Sequence, residues 1–199
     1  MNDKTAWPAI DLLSPPARAA ANANADAAYR RLVVRGSGWA PAKEMLSNLR
    51  PESLLARPAR NPGDAGALLA GLWLWHDWLD ESHTLSQSIH NETGSFWHAI
   101  MHRREGDFSN AKYWYARCRH HPALGEIAAA GRAPVSTAGG HGELERLVRD
   151  EWDASSFVDI VQAVHDKPSD PLHPIAVALQ QAEWKALFAH CVRKAAGGP

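Results

Sequence analysis

The stretch Leu68 to Trp78 is apolar almost all the way round a helical projection. A helix of that kind has no face to offer water, so it belongs at the centre of a molecule, with other helices packed around it. Asp64 is placed to cap such a helix, and the spacing predicts that it runs from there to about Ile89. The longest apolar run, Ala67 to Leu79, is interrupted by His76 and Asp77. It is too short to cross a bilayer.

The rest of the chain reads as further helices. Ala17 to Leu32 is Ala-rich, with Ser14 and Pro16 suited to its start. Pro41 to Leu49 reads as a short helix, followed by a connection broken by Pro51, Pro58, Pro62 and Gly63. Asn91 to Gly94 is a turn, Ser95 to about Arg104 a second helix, and Gly106 its end. Asp107 caps a third helix, Phe108 to about His120, stopped by Pro122. Residues 122–142 are rich in Gly and Pro and read as a long loop. Gly142 to Glu151 is helical, Asp153 caps a helix over Ala154 to Val164, and Pro171 to Ala195 forms a long final helix. Alternating β-branched runs are missing, so little or no β-sheet is expected. The predicted fold is mainly α: a single-domain helical bundle around the central helix at 64–89. Residues 1–40 would form a partly helical, mobile N-terminal extension on a helical domain at 41–199.

Charge narrows the function. There are 21 basic and 22 acidic residues, a net charge of −1. Nucleic-acid binding needs a clustered basic surface, and the run Arg117, Arg119, His120, His121 is too small for one. Cys118 and Cys191 stand in no metal or redox spacing and read as reduced thiols. The N-terminus is acidic and polar, unlike a secretion signal. A cytoplasmic protein off the membrane, with a small molecule as partner, is the expectation. Oligomeric state leaves no mark in the sequence.

Histidine and tryptophan are concentrated. Of 11 histidines, seven lie between His76 and His121, and five of nine tryptophans lie between Trp73 and His121. On a continuous helix, with about 100° per residue, His76, Asp80, His83, Gln87 and His90 share one sector roughly 80° wide. The following helix carries His98 and His102 at i, i+4, with Glu105 one turn further. Two imidazoles so spaced can share one metal ion, as in helical zinc sites. His83, His90, His98 and His102 are therefore candidate ligands for a divalent metal such as zinc. Iron or manganese would also draw on Asp80 or Glu105, and either carboxylate could serve as a catalytic base. The Glu that directly follows the first His in the best-known zinc hydrolase helix is replaced here by Ala99.

The neighbours extend the candidate site. Arg103 could hold a carboxylate or phosphate bidentately, or pair with Asp107 or Glu105. Trp97, Tyr113 and Trp114 could line a ligand pocket with Gln87, or fill the core. Ser82, Ser86 and Ser88 lack a nucleophile elbow. No Gly-rich phosphate loop or P-loop is present.

The segments Asp80 to Gln87, Phe96 to Glu105 and Asn110 to Trp114 together resemble a family of uncharacterised microbial proteins. The likeness covers roughly the middle third of the chain, with weaker echoes around Trp152 to Asp159 and Glu183 to Cys191. This resemblance implies no activity and no residue role.

Two readings follow. In one, the histidines hold a metal in a small metal-dependent enzyme or metal-binding protein. In the other, they form a hydrogen-bonded polar core, or line the pocket of a non-catalytic binding module. His120 and His121 end a helix, where cations favour its dipole, and so drop out of the candidate set.

Overall fold

Every residue from Ala67 to Trp75 is buried. The computed structural model describes residues 9–139 and 142–198. It places this stretch in α3, Pro62–Trp75, at the middle of a helical bundle. Before it come α1, Pro15–Asn22, and α2, Ala40–Ser47. After it come α4, Leu79–Ser86, α5, Glu92–Glu105, and α6, Phe108–Tyr115. The chain finishes with α7, Leu124–Thr137, α8, Gly142–Leu147, α9, Ala154–Val164, and α10, Leu172–Ala195. The described residues form no strand, only one isolated bridge between Leu13 and Leu55. Among the described residues, no helix is long and apolar enough to cross a membrane.

The bundle closes on α3, which packs against α4, α5 and α10. In turn α6 packs on α5, α7 on α10, and α9 on both α6 and α10. Gly71 permits the closest approach. A Cβ there would lie 2.9 Å from the Trp97 ring of α5 and 3.2 Å from Phe188 of α10. Trp184 Nε1 donates to the Gly71 carbonyl across the same gap, at 2.9 Å. Aromatic rings fill the centre: Trp75 lies 4.5 Å from Trp184 and 5.4 Å from Tyr29 between ring centroids. Such pairs add roughly 0.5–1.5 kcal/mol each beyond the area they bury.

The central helix is shorter than its pattern predicts. The expected single helix at 64–89 is two helices, α3 and α4, joined by a break at His76 to Trp78. Asp77 adopts a left-handed conformation, φ 65°. Two arginines hold it there: Arg31 donates to Oδ2 at 2.7 and 2.9 Å, and Arg104 to Oδ1 at 2.5 Å. Arg104 is fully buried and also donates to the carbonyls of Leu74 and Arg31. These charge-assisted bonds outweigh the backbone preference for an unbroken helix. A helical periodicity cannot reveal a break imposed by distant side chains.

Two further expectations are corrected. The N-terminal segment does not form one helix over Ala17 to Leu32. After α1 the chain turns through Asn24 and Tyr29, both with positive φ. Its Leu13, Ala17, Ala21, Tyr29 and Leu32 are buried in the common core. Residues before Ala9 lie outside the described set. The Gly/Pro-rich segment expected as a loop at 122–142 is mostly α7. Its Gly131 serves a close approach, since a Cβ there would lie 2.8 Å from Val148. Docking on α10 overrides the weak helix propensity of the glycines. Gly140 and His141, at the end of that expected loop, are outside the described residues.

Candidate metal centre

Asn91 begins the local structure that builds the site. Its side chain accepts from Gly94 N at 2.9 Å, so the expected turn at 91–94 becomes the cap and first turn of α5. Gly106, with φ 92°, ends the helix. Asp107 then caps α6, accepting from Asn110 N and Ser109 Oγ, both at 3.1 Å. These stops and starts lay α6 against the face of α5 that carries His98 and His102. The short helix α4 brings His83 to the same face.

The three rings converge. The His83 and His98 centroids are 4.7 Å apart, His98 and His102 4.6 Å, and His83 and His102 5.5 Å. One ring nitrogen from each lies within 4.8 Å of those of the other two. His98 and His102 are buried and His83 half-buried. Trp114 of α6 stacks on His98 with a centroid separation of 4.2 Å and closes one side.

Protonation follows from the partners. His102 Nδ1 lies 2.6 Å from Glu105 Oε1. A carboxylate only accepts, so Nδ1 carries the proton and Nε2 presents a lone pair. The Asn110 amide nitrogen lies 3.1 Å from Nε2 but also 3.3 Å from Nδ1. With the proton on Nδ1, this amide donates to the Nε2 lone pair, which a metal ion would take over from it. His98 Nδ1 is buried and has no hydrogen-bond partner among the described residues. Burial, reinforced by His102 and His83, lowers the His98 pKa from 6.5 to about 4. This ring is neutral at pH 7, as a metal ligand must be.

Zinc–imidazole bonds of about 2.1 Å place two nitrogens on one tetrahedral ion roughly 3.4 Å apart. The separations here need to shorten by no more than about 1.4 Å to meet that value. The donor set suits zinc: three imidazoles with a carboxylate behind one of them.

Other expected members fall elsewhere. Asp80 and His90 belong to neither of the ligand-spaced groups among the described residues. The helix break at Asp77 puts Asp80 in the exposed first turn of α4, where a carboxylate suits the helix dipole. Because α4 ends at Ser86, Gln87 and His90 leave the helical stripe and are exposed. They border a cleft of about 490 Å³ with Ser86, Ser95, Trp114 and Arg117. Glu105 stands behind His102 rather than among the three converging nitrogens. His102, Glu105 and Asp107 form a second close group, but both carboxylates are exposed and Asp107 is engaged in capping α6.

Arg103 is not a ligand arm. It is fully buried, donating to Glu183 at 2.5 Å and to Tyr115 at 2.6 Å. Glu183 also accepts from Tyr115 at 3.0 Å and from Trp152 at 2.9 Å. Its partner is thus neither Asp107 nor Glu105. Trp97 is fully buried in the core beside Gly71 and Trp184, away from the cleft. Tyr113, by contrast, is 57% exposed. Sequence reasoning missed Glu183, Asn110 and Arg117. The only signal for Glu183 was that it is the one carboxylate in the final helix. Cys118 and Cys191 are free, and burial pushes both thiols up to about 12, too high for a nucleophile at neutral pH.

No protein-family profile, curated protein or solved structure matches this chain. The site is read from its own geometry.

Proposed function

We propose that the protein is a small metal-dependent enzyme acting on a small molecule, with His83, His98 and His102 as ligands of a divalent ion, zinc by preference. The carrying observation is the convergence of three imidazoles, one of which, His98, has a buried Nδ1 with no hydrogen-bond partner among the described residues. An orphaned buried polar atom costs roughly 1–3 kcal/mol. An ion bonded to it offsets that cost. Held there by three protein ligands, such an ion leaves a coordination position for substrate or water and supplies Lewis-acid activation.

The chain's own groups have distinct parts. Glu105 holds the His102 proton on Nδ1 and aims Nε2, the arrangement by which carboxylates orient metal-bound histidines. Trp114 shields His98 from water. Ser86 and Gln87 both donate to the His83 carbonyl, at 3.2 and 3.0 Å, and border the adjoining cleft. That cleft is of a size for a small molecule. Two free buried thiols fit a reducing compartment and support a cytoplasmic location.

The competing reading, a hydrogen-bonded polar core, draws support from the His102–Glu105 bond. That bond lies within one helix, the Asn110 amide of α6 also meets the His102 ring at 3.1 Å, and among the described residues no hydrogen bond runs from the His83 ring to α5. Elemental analysis and zinc titration of tag-free protein test the proposal. One equivalent of metal is expected, lost in His98→Phe and His102→Phe. Stoichiometry near zero after soaking with zinc, iron or manganese would overturn it.

A further inference from the structure

Arg117 lies in a short 3-10 turn directly after α6, exposed at the border of the cleft. Most surface arginines either pair with a carboxylate or extend freely into water. Among the described residues, this one has no ion pair. Two aromatic rings hold it instead. Its guanidinium carbon lies 5.2 Å from the Trp114 ring and 5.8 Å from the Tyr113 ring, and Nη1 donates to the Tyr113 hydroxyl at 3.2 Å. Aromatic faces restrain a guanidinium without neutralising it. This support also accounts for the exposure of Tyr113, an aromatic that the core does not use.

Trp114 touches both halves of the arrangement. Its ring stacks on His98 and carries the Arg117 contact. A group held by Arg117 is therefore one indole away from the histidine cluster. Other cleft residues, Gln87, Ser86, Asn91 and Ser95, offer neutral donors and acceptors. The one acidic side chain bordering the cleft, Glu92, lies in the first turn of α5 and is not paired with Arg117.

We infer that this cleft binds the substrate, and that the substrate is a small molecule carrying an oxyanion, phosphoryl or carboxylate, gripped by Arg117. The guanidinium fork matches the paired oxygens of both groups. The inference rests on the metal reading for its chemistry, but the binding step stands on Arg117 and the cleft alone. Glu92 limits affinity by repelling the same oxyanion and sets the cleft against doubly acidic ligands.

Calorimetric titration of zinc-loaded protein with phenyl phosphate, benzoate and neutral benzyl alcohol tests this, beside zinc stoichiometry for each variant. At least one of the two anions should bind about tenfold or more tightly than the alcohol. Arg117→Ala should remove that preference while binding zinc as the wild type does. Arg117→Lys should restore part of it, since an ammonium keeps the charge but not the fork. Glu92→Gln should tighten the anion. Equal binding of anion and alcohol, or an Arg117→Ala variant that binds the anion as the wild type does, overturns the inference. Arg117-dependent anion binding in protein that takes up no zinc would leave the cleft standing and overturn the metal centre. Full zinc loading without anion binding would overturn the cleft alone.

Discussion

Helix α5 carries two polar clusters on different sides, and they are built in opposite ways. Arg103 and Arg104 are buried with carboxylates delivered from distant elements, Glu183 and Asp77. Each guanidinium has several acceptors, and Arg103 also lies over the Phe157 ring at 4.6 Å. His98 and His102, four residues apart on the same helix, meet a third histidine instead of a neutralising group. Only His102 gains a carboxylate, from its own helix. One cluster pairs each charge with a carboxylate and locks helices together, although Arg103 Nε and Arg104 Nε have no hydrogen-bond partner among the described residues. The other brings three imidazoles together with no charge-neutralising partner for His83 or His98, and leaves His98 Nδ1 without a hydrogen bond among the described residues. Burial alone therefore does not distinguish a structural polar group from a functional one; its partners do.

The largest way to break this contrast is Glu183→Ala. It strands Arg103 as an uncompensated charge in the core and should cost about 3–5 kcal/mol. Chemical denaturation at pH 7 measures it, and a loss below about 1 kcal/mol would show that the pair is not what ties α5 to α10.

Acid should act on the histidines next. Burial lowers His98 and His121 from 6.5 to about 4 each, His98 with help from His102 and His83 and His121 with help from His190. Between those values the unfolded chain takes up protons that the folded chain refuses. Stability is then full above pH 6.5 and falls as pH drops towards 4, by roughly 1–3 kcal/mol per ring. Denaturation of metal-free protein at pH 7 and pH 5 should show the fall, and a flat profile would contradict the assigned burial. His98→Phe should remove its share of the acid sensitivity.

A smaller effect isolates the role of Glu105. Glu105→Gln should weaken zinc binding about 10–100-fold, read by chelator competition, because the His102 tautomer and orientation are no longer held. Its thermal stability should stay close to that of the wild type, since the side chain is exposed. Zinc affinity unchanged within error would remove Glu105 from the site.

A similarly small change in stability is expected of His98→Phe in metal-free protein. An apolar ring can keep the stack on Trp114 and removes the orphaned Nδ1, so denaturation should move by no more than about 1 kcal/mol, in either direction. Arg103 admits no such exchange. A loss above about 3 kcal/mol would instead mark His98 as part of a structural polar core.

Much of this was legible before any coordinates. The all-apolar sector from Leu68 onwards demanded a buried central helix, and α3 is that helix. The i, i+4 spacing of His98 and His102 demanded two imidazoles on one helix face, and they share one. The polar stripe from His76 to His90 misled, because it presumed an unbroken helix. Asp77 interrupts that helix for the sake of Arg31 and Arg104, residues far from it in sequence. Gly131 of α7 misled for a related reason: it reads as a breaker but serves as a contact point against Val148 and Leu179 of α10.

What the sequence by itself determined is local. Helical period, caps at Asn91 and Asp107, and the spacing of the paired histidines depend on residues within a few turns of one another. What only the tertiary structure decided is which buried polar groups are satisfied. Glu183 reaches Arg103 across 80 positions, and His83 reaches His98 and His102 across a helix–helix contact. Local pattern sets which faces exist. Packing alone chooses what each face meets, and here it matched the arginines with carboxylates and left three histidines facing one another.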